Sequence, residues 1–275
     1  MKDFAGRGFE HLRGFFALDK IEAFESQLAA LYLMQAMKIG EYREFLGEAE
    51  FSSPRDMITK ICDLMEGRDK QALYQVQKFL PSCQQLRGLF DARFMAMGAE
   101  ALGSDQRHLL LDGPALFVSR PNSERLLYKW HSEAHYYPKR RRFLNVWFPI
   151  FTDRTVENGA MSFVPGSHAR HWEFAEYTGY NKDTEGKAAH FVQYEIPENF
   201  FSDLTDRYTC TSERGDLILF NRNLIHRSNH NASQSYSFAI VARLWDPSSD
   251  LTLSGSLAAT PYGGDVGRSD LIVTP

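Results

Sequence analysis

Apolar positions in the first third of the chain follow a helical spacing. After residue 20 they recur at three- and four-residue steps, which predicts an amphipathic helix with this stripe: Ile21, Phe24, Leu28 and Leu31. Asp19 with Glu22 three residues later is typical of a capping box and predicts where the helix begins.

Two further helical regions follow. One is predicted from about Pro54 to Met65, and another from about Asp69 to Met97 with a break near Pro81. Their methionines are predicted core filler: Met57, Met65, Met95 and Met97. The insertion at about 40–105 either packs on the outside of the rest of the protein or docks a partner, and the sequence leaves both open.

From about Leu109 the pattern changes to short β-type runs separated by Gly, Pro, Asn and Asp. The runs include LLLDGPALFVS, RLLYKWHSEAHYY, RFLNVWFPIF, GAMSFVPG, HFVQYEI, DLILFN and YSFAIVARLW. Many short strands without intervening helices favour a sandwich or barrel. Residues 170–210 form a long excursion, either a lid or a surface insertion, and a meandering tail follows Asp246.

Composition narrows the function classes. Lys and Arg number 31 against 35 Asp and Glu, so the net charge is −4, and 43% of residues are hydrophobic. This composition excludes a mainly disordered chain, and the lack of a basic excess argues against a nucleic-acid partner. Apolar stretches stop well short of 18 residues, so no membrane association is expected.

Cysteine usage indicates a reducing compartment. The three cysteines are widely spaced and form no C-x-x-C pair: Cys62, Cys83 and Cys210. This pattern argues against a disulfide framework or a cysteine zinc site. The N-terminus has no long apolar segment of the signal-peptide type. We therefore expect a cytoplasmic protein.

The segment Trp130-His131-Ser132-Glu133 carries the strongest chemical signal. In a strand, His131 and Glu133 project from the same face. A later strand, Gly215 to Phe220, leads to His226. If this strand lies beside the first, two histidines and one carboxylate share a face, as in the facial triad of non-haem Fe(II) oxygenases. An isolated H-x-E also occurs by chance.

Further segments accompany the triad in a fixed order. They are Gly8-Phe9 to Leu12-Arg13-Gly14-Phe15, Tyr136-Tyr137-Pro138, Asn145-Val146-Trp147, Asp153, Glu157-Asn158-Gly159-Ala160, Pro165-Gly166-Ser167-His168, and Gly215-Asp216 to His226-Arg227-Ser228 with Asn231 and Ser233. In this order they resemble the phytanoyl-CoA dioxygenase-like family of Fe(II)- and 2-oxoglutarate-dependent oxygenases. The resemblance covers most of residues 110–245 and the extreme N-terminus.

The resemblance implies an α+β fold with a mainly β core, a double-stranded β-helix (jelly-roll or cupin-like barrel) with N-terminal helices packed on it. It implies a single oxygenase domain over 1–275, with a helical part at about 1–108 and the barrel at about 109–246. His131, Glu133 and His226 become the metal ligands and catalytic residues, although the family more often has aspartate in place of Glu133.

The implied reaction uses Fe(II), 2-oxoglutarate and O2 to hydroxylate a C–H bond of a small-molecule substrate. Residues that the resemblance makes candidate cosubstrate contacts are Asn145, Trp147, Ser228, Ser237 and Arg243. The plain alternative for Trp147 is barrel core.

One position departs from the family. Eleven residues after the distal histidine the family usually has an arginine that pairs with the far carboxylate of 2-oxoglutarate, and here Ser237 stands there. Serine cannot supply the charge. Arg243 has the same strand parity but lies roughly 20 Å further along, at ~3.3 Å per residue. Other possible donors are Lys129, Arg120, Arg125 and Arg222.

Two readings therefore stay open for the cosubstrate. The chain either uses 2-oxoglutarate, or is a metal-binding barrel that is independent of 2-oxoglutarate or non-catalytic.

The run Lys139-Arg140-Arg141-Arg142 is either a solvated face or a sign of an anionic substrate. His135 is either an exposed loop residue or a substrate contact, and His168 is expected to close a turn.

Overall fold

A computed structural model describes residues 3–66, 79–123, 127–178 and 192–250. Seven α-helices lie in these ranges: α1 (Phe4–Arg7), α2 (Leu18–Ala36), α3 (Gly40–Gly47), α4 (Pro54–Glu66), α5 (Gln84–Leu89), α6 (Ala92–Leu102) and α7 (Glu133–Tyr136). The predicted helix at Pro54 is confirmed. Of the region predicted from about Asp69 to Met97, residues 67–78 lie outside the described ranges, and from residue 79 onward it is broken into short helices around Pro81, as expected.

Ten strands lie in the described ranges. They are β1 (Phe9–Leu12), β2 (Leu110–Ser119), β3 (Phe143–Ile150), β4 (Ser162–Phe163), β5 (Ala175–Thr178), β6 (Val192–Glu195), β7 (Tyr208–Thr209), β8 (Leu217–Asn221), β9 (His226–Arg227) and β10 (Ser237–Trp245). A five-stranded sheet has the order β1-β8-β3-β10-β2, and a three-stranded sheet has the order β7-β4-β9. All pairings are antiparallel.

The two sheets face each other across an apolar interior. Trp147 and Phe220 of the larger sheet pack in one cluster with Phe163 of the smaller sheet. Such facing antiparallel sheets are the arrangement of a jelly roll, and the predicted double-stranded β-helix is confirmed. The predicted lid is not tested, since residues 179–191 lie outside the described ranges, as does the tail from 251 onward.

The helices cover the outer face of the five-stranded sheet. Along β3 and β10 alternate residues leave the interior and join the helices in a second cluster, for example Val146 and Ile240 with Phe24 and Ile58. Met65 is fully buried there, and Met57 packs against it, as predicted for core filler. The described parts of the 40–105 insertion thus pack on the outside of the barrel.

Helix α2 buries its predicted stripe but begins differently from the prediction. Ile21, Phe24 and Leu28 are fully buried. The predicted capping box is wrong, because the residue at the N-cap is Ala17 and no side chain caps the helix. Asp19 lies instead in the first turn, where its charge complements the helix dipole.

The Gly215-Asp216 pair ties the N-terminal segment to the barrel. Gly215 has φ +95°, and a Cβ there would lie 2.8 Å from the Phe16 carbonyl oxygen. The Asp216 carboxylate accepts from the Gly14 backbone N–H at 2.8 Å, and it also contacts His11 Nε2 and Arg13 Nη1, both at 2.9 Å. Burial raises its pKa, but hydrogen bonds from the backbone N–H groups of Gly14 and Glu213 and from His11 outweigh burial and hold the pKa of Asp216 below its ordinary value.

Replacing Asp216 with asparagine should lower the free energy of unfolding by about 2 kcal/mol, the range for hydrogen bonds to a buried charge. Because the folded pKa is depressed, the wild-type advantage is present above the ordinary aspartate value and is lost as pH falls through the folded pKa. Urea unfolding at pH 7 and pH 3 measures both effects. Asp206→Asn, an exposed aspartate, is the matched control, and equal stability of the two variants would contradict the account.

Candidate metal centre

Two histidines from distant parts of the chain are direct neighbours. His131 and His226 form an antiparallel bridge in which each backbone N–H donates to the other residue's carbonyl at 2.9 Å. On its other side His226 pairs with Phe163 of β4. The imidazole rings lie 4.1 Å apart between centroids. Backbone pairing therefore fixes both rings on one side of the smaller sheet.

The partner strand differs from the prediction. The Leu217–Asn221 strand lies in the five-stranded sheet between β1 and β3, not beside His131. The chain then crosses to the smaller sheet, where the short strand β9 supplies His226. The predicted juxtaposition of the two histidines is found, but a different strand produces it.

Hydrogen bonds select the same tautomer in both rings. His131 Nδ1 lies 2.7 Å from the Lys129 carbonyl oxygen, and His226 Nδ1 lies 2.9 Å from the Leu224 carbonyl oxygen. A carbonyl only accepts, so Nδ1–H donates in each ring and Nε2 keeps a free lone pair. This is the arrangement that prepares histidine for metal coordination.

Glu133 completes the group, but from a helix instead of a strand. The prediction of a strand through His131 and Glu133 is wrong beyond the single bridge, because Glu133 begins the short helix α7. Its Oε1 still lies 3.7 Å from His131 Nε2 and 3.8 Å from His226 Nε2. The three ligand atoms are all within 4.8 Å of one another.

The two carboxylate–imidazole distances fit a shared metal ion. Two bonds of about 2.1 Å allow ligand atoms to stand up to about 4.2 Å apart, and both carboxylate–imidazole distances are shorter. Burial and then His131 lower the pKa of His226 to about 3, so this imidazole is neutral and able to coordinate at pH 7. Two histidines and a carboxylate suit Fe(II) with positions left open.

Arg243 contacts the metal-binding carboxylate. Its Nη2 donates to Glu133 Oε2 at 2.6 Å, which leaves Oε1 facing the histidines. Burial disfavours the Glu133 charge, but Arg243 and then the histidines hold the pKa of this carboxyl well below its usual range. Glu133 in turn raises the pKa of Arg243 against the effect of burial. Arg243 therefore keeps Glu133 ionised and oriented, and a direct cosubstrate contact stays a prediction.

Asn145 offers polar atoms with no partner in the part of the chain that the structure describes. It is 1% exposed and lies opposite Arg243 in the β3–β10 register. Both its Oδ1 and its Nδ2 are buried without a hydrogen bond, an expensive state unless a ligand satisfies them. Trp147, two residues on, shares this inner face and packs with the interior cluster. This unsatisfied amide beside the triad fits a polar cosubstrate such as 2-oxoglutarate.

Ser237 is fully buried and is contacted by an arginine that the sequence analysis did not consider. Arg154 Nη1 donates to Ser237 Oγ and, at 3.0 Å, to the Asn158 carbonyl oxygen. The other Arg154 nitrogens make no hydrogen bond within the described residues, and no carboxylate pairs with its charge there. Burial alone lowers the pKa of Arg154 to about 10, so it stays charged at pH 7.

The donors named from sequence lie elsewhere. Lys129 pairs with Glu195 at 2.7 Å, Arg222 lines an outer cleft, and Arg120 lines another cleft beside Asp63. Arg125 is outside the described residues. Ser228 donates its backbone N–H to the Tyr128 carbonyl at 3.1 Å, and its role as a cosubstrate contact stays a prediction.

The basic run at 139–142 is split by the fold. Arg140 is buried, pairs with Asp112 and lies over the Trp245 ring at 4.5 Å. Arg142 pairs with Asp246 at 3.3 Å. Arg141 instead opens onto a cleft of about 650 Å³. Neither a uniform solvated face nor a uniform anion site describes this run.

That cleft, here called the arginine cleft, includes in its lining the residues on either side of Glu133 but not Glu133 itself. It is lined by Ser132, Ala134, His135, Pro138, Arg141, Arg170, His171, Trp172, Arg222 and Asn223. Ser132 and Ala134 flank Glu133, and none of the lining residues is acidic.

His135 is half-buried in this cleft, with Nε2 3.1 Å from the Trp172 carbonyl oxygen, and is not the exposed loop residue considered above. His168 closes a turn as expected, with Nε2 3.1 Å from the Ala5 carbonyl oxygen.

Comparison with known proteins bears on both the fold and the site. The family model for phytanoyl-CoA dioxygenase (PhyH) matches residues 4–237, which is most of the chain. Among curated proteins, no sequence matches significantly.

Several solved structures share the fold. EvdO2 from Micromonospora carbonacea var. aurantiaca, solved with 2-oxoglutarate, has TM-score 0.52 and 16% identity, covering 89% of each chain. EctD from S. alaskensis, solved with 2-oxoglutarate and 5-hydroxyectoine, has TM-score 0.54 and 17% identity, covering 90% of this chain and 75% of that one. SnoK, a non-haem α-ketoglutarate-dependent carbocyclase from nogalamycin biosynthesis, has TM-score 0.51 and 19% identity, with 89% and 82% covered.

Proposed function

The chain belongs to the phytanoyl-CoA dioxygenase family and is a non-haem Fe(II)- and 2-oxoglutarate-dependent oxygenase; from this premise we propose that it hydroxylates a C–H bond of an anionic small molecule. The observation that carries the anionic substrate is the arginine cleft beside Glu133. The non-catalytic or 2-oxoglutarate-independent reading is not favoured, because the family and the triad both point to the oxygenase.

The protein's residues hold and shield the reacting groups. His131, Glu133 and His226 would hold Fe(II), and Arg243 orients Glu133. Iron held there would supply, with O2 and 2-oxoglutarate, the chemistry that converts a C–H bond to a C–OH group, with succinate and CO2 as the coproducts. Phe220 and Phe163 pack on His226, with ring centroids 4.8 and 6.4 Å away, and they help keep water from the site.

The charge of the arginine cleft supports an anionic substrate group. Arg141 is exposed, and within the described residues its guanidinium has no ion-pair partner, although Asp250 Oδ1 accepts from its backbone N–H at 2.8 Å. Arg222 is half-buried with its Nη2 3.5 Å from the Tyr137 carbonyl oxygen. Arg170 pairs with Asp203 at the rim. Guanidinium groups bind phosphate and carboxylate through two parallel hydrogen bonds. A phosphate- or carboxylate-bearing molecule would place its anion here and its neutral part toward Glu133.

The reaction class is tested by oxygen consumption. The Fe(II)-loaded protein should consume O2 and form succinate only when 2-oxoglutarate is supplied, faster with a matching substrate than without one. A panel that pairs each phosphorylated or carboxylated compound with its neutral counterpart should give stimulation with the anionic member. Oxygen consumption that does not depend on 2-oxoglutarate would contradict the reaction class. Stimulation of oxygen consumption by the neutral compounds alone would contradict the anionic substrate class.

We expect the arginine cleft to bind a small inorganic anion by itself. Inorganic pyrophosphate should bind the wild-type protein at low ionic strength, and the Arg141→Gln/Arg222→Gln double variant should bind it at least about tenfold more weakly, which corresponds to ~1.4 kcal/mol. Calorimetric titration measures both. Lys139→Gln removes a charge of the same run outside the cleft and is the control. Equal losses in the control and the double variant would show that the cleft does not select anions.

Two further proposals concern the whole chain. Residues 1–275 form a single oxygenase domain, supported by the family match over most of its length. The three described cysteines are free and buried, which supports a reducing compartment such as the cytoplasm. Separately, within the described residues no helix has the length and apolar character that crossing a membrane needs.

A further inference from the structure

We propose that Arg154, a residue outside the usual strand position, binds the far carboxylate of 2-oxoglutarate in place of the arginine that Ser237 replaces. This inference rests on the oxygenase function above and names a binding residue within it. It explains how the chain departs from its family at position 237 without losing the cosubstrate.

The first support is the unbalanced charge of Arg154. Its side chain is buried, with 4% of the residue exposed, and the groups that accept its hydrogen bonds are neutral, namely Ser237 Oγ and the Asn158 carbonyl. Nε is buried with no hydrogen-bond partner among the described residues. A buried charge without a counter-ion is costly, so the site is built for an anion that arrives from outside the chain.

The second support is position. Ser237 starts β10, and its contact brings the Arg154 guanidinium to the place in the barrel where the family's arginine begins. Arg154 Cζ lies 5.7 Å from the centre of the Trp147 ring, on the inner face shared with Asn145. The same interior cluster contains Phe163 and Phe220, which pack on His226. Arg154 and the triad thus border one interior, with the unsatisfied Asn145 amide beside Arg243.

The third support is the rigidity of the Arg154 segment. Its backbone exchanges two hydrogen bonds with Ser212, at 2.7 and 3.0 Å. Asn158 holds the turn, since its Oδ1 accepts from the Thr155 N–H at 2.9 Å and its Nδ2 donates to the Asp153 carbonyl at 2.8 Å. A guanidinium held in this way is preorganised for a carboxylate and loses little entropy on binding.

The contact also explains Ser237. Its hydroxyl donates to the Asn158 carbonyl at 2.8 Å, which leaves its oxygen lone pairs to accept from Arg154. A larger side chain at 237 would meet the guanidinium that now occupies this space. The small Ser237 therefore leaves room for the Arg154 guanidinium, which takes the place of the guanidinium that the family's arginine at position 237 would supply.

The test compares two ligands and three variants. The ligands are 2-oxoglutarate and 2-oxopentanoate, which has the same carbon chain without the second carboxylate. Anaerobic calorimetry on Fe(II)-loaded protein gives each dissociation constant. Wild type should bind 2-oxoglutarate about 100-fold more tightly than 2-oxopentanoate, because a buried pair of opposite charges contributes about this factor to a dissociation constant. Arg154→Gln lacks the charge and should bind both ligands about equally.

A relocation variant makes the test specific. Arg154→Ser combined with Ser237→Arg moves the guanidinium back to the strand position and should restore at least about tenfold of the discrimination. Arg154→Lys, which keeps the charge without the planar fork, should be intermediate. Thermal unfolding without cosubstrate separates binding from structure: removing an unpaired buried charge should leave the Tm of Arg154→Gln unchanged or higher.

The outcomes separate this inference from the function it rests on. If wild type discriminates between the ligands and Arg154→Gln discriminates equally well, the assignment of Arg154 is wrong while the oxygenase function stands. A lower Tm together with unchanged discrimination would make Arg154 a structural residue. If wild type binds neither ligand, the use of 2-oxoglutarate fails, and this inference fails with it.

Discussion

Replacing His226 with alanine should abolish 2-oxoglutarate-dependent oxygen consumption, and Glu133→Ala and His131→Ala should do the same. Each removes one of three ligand atoms that lie within 4.8 Å of one another. We expect kcat to fall by at least about a thousandfold, or ~4 kcal/mol of transition-state stabilisation, and metal affinity to fall by more than about 100-fold. Oxygen-electrode assays and anaerobic Fe(II) titration measure the two effects.

The control for this series is His108→Ala, since His108 is an exposed histidine away from the barrel interior. It should retain wild-type turnover and metal affinity. Circular dichroism of each variant shows whether the fold is kept. A triad variant that folds and still turns over at a rate near wild type would refute the assignment of the metal centre.

Replacing Arg243 with glutamine should weaken metal binding about 10- to 100-fold, although Arg243 is not itself a ligand. Its 2.6 Å contact with Glu133 Oε2 aims the other oxygen at the histidines, and outer partners of metal ligands have effects of this size. Breaking a buried ion pair from one side also leaves the remaining charge unpaired, so the metal-free protein should lose about 3–5 kcal/mol of stability.

This variant also separates two roles for Arg243. If it orients Glu133, Arg243→Gln loses metal affinity but, once saturated with Fe(II), binds 2-oxoglutarate almost as wild type does. If it binds the cosubstrate directly, the dissociation constant for 2-oxoglutarate rises while metal affinity stays the same. Arg243→Lys, which keeps a charge near Glu133, should recover part of the metal affinity. Unchanged metal affinity in Arg243→Gln would contradict the orienting role.

Local pattern was enough to find most of the helices and strands, and the order of the motifs pointed to the three candidate ligands. The 3.6-residue stripe of Ile21, Phe24 and Leu28 and the alternation in β3 and β10 are imposed by single elements that bury one face, so they are visible without the fold. The triad was found because H-x-E and a distal histidine occur with other motifs in a fixed order.

Contacts between residues far apart in the sequence could not be predicted from local pattern. His131 and His226 become neighbours because the chain passes from the five-stranded sheet at β8 to the three-stranded sheet at β9. The amino-acid composition of these two strands does not show that they belong to different sheets. Glu133 sits on a helix of four residues, too short for any periodicity to register. Arg154 meets Ser237 across 83 positions, and its signal, an arginine just before Glu157-Asn158-Gly159, gains meaning only once the turn folds back on the barrel.

The basic run illustrates the same limit. Four consecutive positive charges suggest one surface, yet Arg140 is buried against Asp112 and Trp245 while Arg141 opens onto the arginine cleft. Which of these side chains faces a ligand is decided by the turn between α7 and β3. Sequence could indicate an anionic substrate but not the residue that would meet it.

The most direct test of the central claim is an anaerobic titration of the purified protein with Fe(II), followed by 2-oxoglutarate, monitored in the visible range. The account predicts saturable Fe(II) binding at one site and then a weak charge-transfer band that appears only when 2-oxoglutarate is added to the iron-loaded protein. Iron binding without the band would contradict 2-oxoglutarate as cosubstrate, and absence of iron binding would contradict the metal centre itself.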